Sequence, residues 1–176
     1  MRTLAFFLIA VSFCFAAGAW IRGMAQDVYD GDTFKLLENG QLIKVRIYGI
    51  DAPEANQEYG KESGKALREL IDGKEIRLRI ENKDRYGRTV GEPWLEDSIN
   101  VSLWMIKNGN AWWYKSYSKK RADFEAAEAE AKEKKLGIWE KDSPTPPWDF
   151  RSGEKKQKKS PKNKHKKGKN SNRSSK

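Results

Sequence analysis

Asn39-Gly40 stands between the apolar runs Leu36-Leu37 and Leu42-Ile43, and few short stretches restrict a chain more. A tight hairpin turn needs positive φ at both central residues, which Asn and Gly supply, so the flanking runs are read as adjacent antiparallel strands. The second run continues through Lys44-Val45-Arg46-Ile47-Tyr48, with Val45 and Ile47 on one face and Arg46 on the other. The same alternation recurs where Ile76, Leu78 and Ile80 interleave with Glu75, Arg77 and Arg79. Residues 21–28 fit a first strand and residues 90–95 a last one.

Helical spacing predicts three helices. Residues 58–71 carry Ala66, Leu67, Leu70 and Ile71 on one stripe and stop at Gly73. A second helix runs through Val101, Trp104 and Met105, with Ser98 as its cap and Asn108-Gly109 as its end. Residues 122–135 form the third, braced by Glu128/Lys132 and Glu130/Lys134 and ended by Gly137. Five short strands, one inserted helix and two following helices imply an α+β fold, a small bent β-barrel with helices packed on it.

The ends differ from the middle. Residues 1–19 combine Arg2, an apolar run and the small end Ala17-Gly18-Ala19, the pattern of a signal peptide cleaved after Ala19. The run is shorter than the roughly 20 apolar residues of a membrane span, which favours cleavage over a retained anchor and leaves no stable span after processing. The chain is then expected to be exported, periplasmic or secreted. Residues 20–142 are the foldable domain, 143–150 a Pro-rich linker, and 151–176 a basic tail expected to be disordered because it is almost bare of apolar residues. That tail holds 12 Lys/Arg against 1 Glu, whereas residues 1–150 hold 23 against 24 Asp/Glu, so the net charge of +10 belongs to the tail. Such a tail is a solubilising appendage or a tether for polyanions.

One Cys and one His, Cys14 and His165, lie outside the domain. A Cys/His zinc site and a His-centred triad are therefore excluded from it. The domain instead gathers acids at strand ends, Asp30-Gly31-Asp32 after the first strand and Asp51-Ala52-Pro53-Glu54 after the third. Crowded carboxylates raise each other's pKa unless a cation is supplied, and with oxygen donors alone that cation is hard, Ca²⁺ or Mg²⁺. Arg46 precedes Asp51, and Arg88 ends the turn Asp84-Arg85-Tyr86-Gly87-Arg88. A metal, a carboxylate base and two guanidinium forks are the parts that phosphodiester hydrolysis requires.

These pieces, with Asp30-Gly31-Asp32-Thr33, Val45 to Glu54, Tyr59-Gly60, the Asp84–Arg88 turn, Glu128 to Lys132 and Leu136-Gly137-Ile138-Trp139 in that order, resemble the staphylococcal-nuclease-like, or thermonuclease, family. The resemblance implies an OB-fold five-stranded barrel and a Ca²⁺-dependent endonuclease that cuts DNA and RNA and leaves 3′-phosphate ends. Carried over by position, Asp32, Asp51 and the main chain of Ala52 look like the metal ligands. Arg46, Glu54 and Arg88 look like the catalytic residues, with Glu54 activating or positioning water. Ala52 stands where the family's best-known member has Thr, a change that a main-chain ligand survives. The loop from Glu54 to Tyr59 is shorter than in that member. Tyr86, Tyr114 and Tyr117 are the candidate substrate contacts, while one of Trp112 and Trp113 is expected to face the core. A monomer is expected. A non-catalytic OB-type nucleic-acid-binding module is the competing reading, and it leaves this set of acids and arginines without a use.

Overall fold

The computed structural model describes residues 18–159, with side chains as far as residue 153. Residues 1–17 of the expected signal peptide at 1–19, and the tail beyond residue 159, lie outside the described residues. Strands β1 (Trp20–Gln26), β2 (Thr33–Glu38), β3 (Gln41–Ile47), β5 (Glu75–Lys83) and β6 (Thr89–Leu95) form one sheet in the order β3-β2-β1-β5-β6. The parallel pairing of β3 with β6, Val45 opposite Thr89 and Ile47 opposite Gly91, closes the sheet into a barrel. This is the α+β, OB-type barrel expected from the sequence. A short β7 (Ile99–Asn100) extends β6, and β4 (Ile50–Asp51) pairs with β8 (Trp112–Trp113) as a separate ribbon.

The hairpin between β2 and β3 forms as its turn residues require: Asn39 has φ 48° and Gly40 φ 78°. Alternation along β5 places Ile76, Leu78 and Ile80 inside, where they meet Phe34, Leu36, Val45 and Ile47 from the hairpin strands. Burying side chains of this size contributes on the order of 2 kcal/mol each, which fixes the strand register because a one-residue slip would expose the whole set.

Four helices surround the barrel: α1 (Gly60–Ile71), α2 (Val101–Lys107), α3 (Ala122–Glu133) and α4 (Pro147–Lys159). Helix α1 buries Leu67 and Ile71, and beside them Gly64 lies against the backbone of Asp30, 3.5 Å from where a Cβ would reach it. A Cβ at that distance makes only ordinary contact; the close approach is at Gly31 in the turn itself, where a Cβ would run into Ser63 of the helix.

Two expectations are corrected. The cap of α2 is Asn100, whose side chain accepts from Leu103 N at 3.0 Å, and not Ser98; β7 carries the chain two residues further before the helix starts. Trp112 and Trp113 are both 5 % exposed; Trp113 joins the barrel core, as expected of one of the pair, while Trp112 meets the Trp139 ring. The stretch assigned to linker and unfolded tail is helical from Pro147 to Lys159. Pro147 opens that helix at a position where its missing N–H is no loss, and Trp148 stacks on Tyr114, a contact that charge composition conceals.

Candidate active site

The six-residue connection from Asp27 to Asp32 turns tightly. Asp30 Oδ1 accepts from Asp32 N at 3.0 Å, and a Cβ at Gly31 would run into Ser63 and Ala52. The turn brings Asp32 under the end of β3. There Asp32 Oδ2 accepts from Ala52 N at 2.8 Å and Oδ1 accepts from Thr33 Oγ1 at 3.0 Å. Asp32 is 6 % exposed and Asp51 fully buried, so both carboxylates need compensation.

Arg46 supplies it. From the outward face of β3 its Nη2 donates to Asp51 Oδ1 at 2.7 Å and its Nη1 pairs with Asp32. One guanidinium thus ties together the ends of two strands. Burial and the neighbouring Asp32 push the Asp30 carboxyl up to about 7, and burial raises Asp51 above the ordinary carboxylate range against the pull of Arg151 and Arg46. The site carries more negative charge than Arg46 alone offsets.

Arg88 closes the other side. Asp84 Oδ1 accepts from the backbone N–H groups of Tyr86 and Arg88, and Asp84 Oδ2 accepts from Arg88 Nε at 2.7 Å. Burial pushes the Asp84 carboxyl up, but Arg88 and the two amides outweigh it and hold the group below its usual range. Only Nε of Arg88 is taken up among the described residues, so the two terminal nitrogens of its fork remain as donors. Tyr86 is 70 % exposed with the Arg85 and Arg88 guanidinium groups over its ring.

Every residue singled out from the sequence lines one cleft of about 750 Å³: Asp32, Arg46, Asp51, Ala52, Glu54, Tyr86, Arg88, Tyr114 and Tyr117. Tyr114 and Tyr117 lie with ring centroids 5.0 Å apart at its rim. Asp30 and Thr33 share the same wall. Sequence reasoning missed two residues here: Arg151, which lines the cleft, and Trp148, which packs on one of its lining tyrosines. Arg151 donates to Asp51 and Glu54, and Trp148 stacks on Tyr114 at 5.5 Å and 20°. A signal for Trp148 was present in Pro147-Trp148-Asp149-Phe150, two aromatics in a stretch otherwise read as linker.

The chain matches the family model described as staphylococcal nuclease homologue over residues 44–141, more than half its length. The chain belongs to the staphylococcal nuclease family. It is 34% identical over 131 residues to an uncharacterized endonuclease of Escherichia coli O157:H7, which covers 74% of this chain and 85% of that protein. Its identity to a micrococcal nuclease of Shigella flexneri is 33% over 157 residues, 83% of this chain and 90% of that one. An uncharacterized endonuclease of Haemophilus influenzae shares 40% over 129 residues, 73% of this chain and 71% of its own.

The family implies a divalent cation, and the donor chemistry suits a hard one. The side-chain oxygens in the cleft are those of carboxylates, hydroxyls and the Asn82 amide, without His or Cys, and Asp51 and Glu54 already accept a cationic group, that of Arg151. Among the described residues no three acids form a ready-made cage. A Ca²⁺ ion takes 6–8 oxygens at variable geometry and completes its shell with main-chain carbonyls and water, so two carboxylates suffice as the charged part.

Proposed function

We propose that this member of the staphylococcal nuclease family is a Ca²⁺-dependent endonuclease that hydrolyses DNA and RNA with little sequence specificity and leaves 3′-phosphate ends. The nuclease class comes with the family. The finer reading is supported chiefly by one observation, that Arg46, Asp51, Glu54 and Arg88 line a single open cleft.

In this reading Asp32, Asp51 and the Ala52 carbonyl hold Ca²⁺, which when bound polarises the phosphoryl oxygen and orients water. Glu54 takes the proton of the attacking water. As the new P–O bond forms, the P–O5′ bond breaks, the phosphate stays on the 3′ side, and the departing 5′ oxygen takes up a proton. Arg88, with its terminal nitrogens turned to no carboxylate, neutralises charge growing on the equatorial oxygens, and Arg46 does so from the floor of the cleft. Tyr114 and Tyr117 offer ring faces on which any base can stack, worth roughly 1–3 kcal/mol per base and indifferent to sequence. Tyr86 offers another at the opposite rim.

The leader pattern supports export, periplasmic or secreted, and the Lys-rich tail supports added affinity for polyanionic substrate. The test is cleavage of single-stranded DNA, duplex DNA and RNA by the purified protein, in Ca²⁺ and then in excess chelator, with product ends assigned by phosphatase sensitivity. Ca²⁺-dependent products bearing 3′-phosphates support the reading. Tight binding of DNA without cleavage in either condition overturns it in favour of a binding module.

A further inference from the structure

We infer that α4 is a built-in plug whose Arg151 guanidinium competes with the divalent cation for Asp51 and Glu54, so that the enzyme rests in a self-inhibited state. This rests on the reading of those two acids as part of the catalytic centre. Arg151 Nη2 donates to Asp51 Oδ2 at 2.7 Å, while Nη1 donates to Glu54 Oε1 at 2.7 Å and to Asp51 Oδ1 at 3.2 Å. Both oxygens of Asp51 and one of Glu54 are thereby occupied by a group that is charged at every physiological pH.

The two carboxylates cannot then do their work. Glu54 Oε1 is turned to the Arg151 guanidinium and so is not turned to an attacking water. Asp51 has about four lone-pair sites and gives two to Arg151 and one to Arg46, so a metal meets a carboxylate already largely occupied. Arg46 sits on a barrel strand and is nearly enclosed, whereas Arg151 is carried by a helix at the far end of the chain, with its side chain 36% exposed.

The attachment of that helix is local and reversible in kind. Trp148 stacks on Tyr114, covering the face that a nucleotide base would use. Thr145 O accepts from Gln57 Nε2 at 2.6 Å, fastening the approach to the helix beside Glu54. The plug therefore imitates both halves of the liganded site, a cation at the carboxylates and a ring on the tyrosine. Metal and nucleic acid together displace it by taking the same partners, and either one alone meets the full resistance of the helix.

The experiment is calorimetric titration of Ca²⁺ into the full-length protein and into Arg151→Ala and Trp148→Ala, with DNA cleavage followed across the same Ca²⁺ series. If the closed state masks the site in all but about 1–10 % of molecules, removing the plug tightens Ca²⁺ binding roughly 10- to 100-fold. Arg151→Ala is expected to show that gain, Trp148→Ala a smaller one, and both to reach half-maximal cleavage at lower Ca²⁺. Trp148→Ala leaves the Arg151 ion pairs intact, so it decides the matter if Arg151→Ala folds poorly. Equal Ca²⁺ affinity in all three proteins overturns the plug, and a loss of cleavage in Arg151→Ala at unchanged affinity makes Arg151 a substrate contact instead. Failure of the nuclease reading is a separate result: Ca²⁺ binds and no variant cuts DNA.

Discussion

Arg46 Nη2 lies 2.7 Å from Asp51 Oδ1 while its other terminal nitrogen pairs with Asp32, so one side chain bridges acids that are 19 residues apart in sequence. The bridge is planar and two-pronged, and an ammonium cannot span it. Arg46→Lys is expected to fold, with cleavage reduced roughly 100- to 1000-fold, the scale of a lost oxyanion donor. Arg46→Ala leaves buried carboxylates uncompensated and is expected to cost about 3–5 kcal/mol of stability as well. Urea denaturation beside single-turnover cleavage separates the two effects. Full activity in the lysine variant would remove Arg46 from the chemistry.

Arg88 presents the opposite case, a charge with little structural duty. The turn that carries it is held by Asp84 Oδ1 through two backbone amides, at 2.9 Å from Tyr86 N and 3.0 Å from Arg88 N, and neither bond needs the Arg88 side chain. Arg88→Ala is expected to keep its melting behaviour, with a stability change of about 1 kcal/mol or less, while cleavage falls roughly 100-fold or more. The fall should appear in the chemical step, with substrate affinity changed less. A variant that cuts normally would assign transition-state charge to Arg46 alone.

The barrel was legible in the sequence because its signals are local: Asn39-Gly40 forces a hairpin, and Ile76, Leu78 and Ile80 alternate in a way only a half-buried strand explains. The acids and arginines of the cleft were legible for a related reason, since charge at a strand end has no role in a core. Arg151 was not legible. Its partners Asp51 and Glu54 are about a hundred residues away, and its own surroundings read as a charged tail. Ser98 was favoured as the cap of α2 on side-chain chemistry that Asn100 meets equally well, and only the β6–β7 pairing decides between them. Helix ends and long-range ion pairs depend on tertiary contacts that no local pattern carries.

Gly49, with φ 78°, links β3 to β4 two residues before Asp51, and a Cβ there would sit 2.6 Å from Phe124 Cε2 and 3.2 Å from Ser118 Oγ. Gly49→Ala therefore meets both backbone strain and overpacking, together about 2–4 kcal/mol. Gly40→Ala is the control: φ is again 78°, but nothing lies within 4 Å of the added methyl, so the backbone effect stands alone at about 1 kcal/mol. Denaturation midpoints of the two variants measure the difference. Cleavage should also fall in Gly49→Ala, since any shift of the β3–β4 link moves Asp51, and should hold in Gly40→Ala. Equal midpoints would show that Phe124 yields without cost.

Arg121 binds α3 to the barrel, donating from Nε and Nη2 to Asp123 at 2.8 and 2.7 Å and from Nη1 to Glu92 at 2.7 Å. The hydrogen bonds from Arg121 hold the Asp123 carboxyl below its usual range. A depressed carboxylate binds fewer protons in the folded state than in the unfolded one between the two pKa values, so its stabilisation is complete above about pH 4. It is lost as the pH falls through the lowered folded value. Asp123 is 45% exposed, and solvent screening keeps the contribution to about 0.5 kcal/mol. Asp123→Asn is accordingly expected to be slightly less stable than the parent at pH 7, the gap narrowing as the pH falls below about 4 and closing below the lowered folded value of Asp123. Urea midpoints across that range test it, and a gap that stays constant with pH would locate the effect in the first turn of α3 rather than in the ion pair.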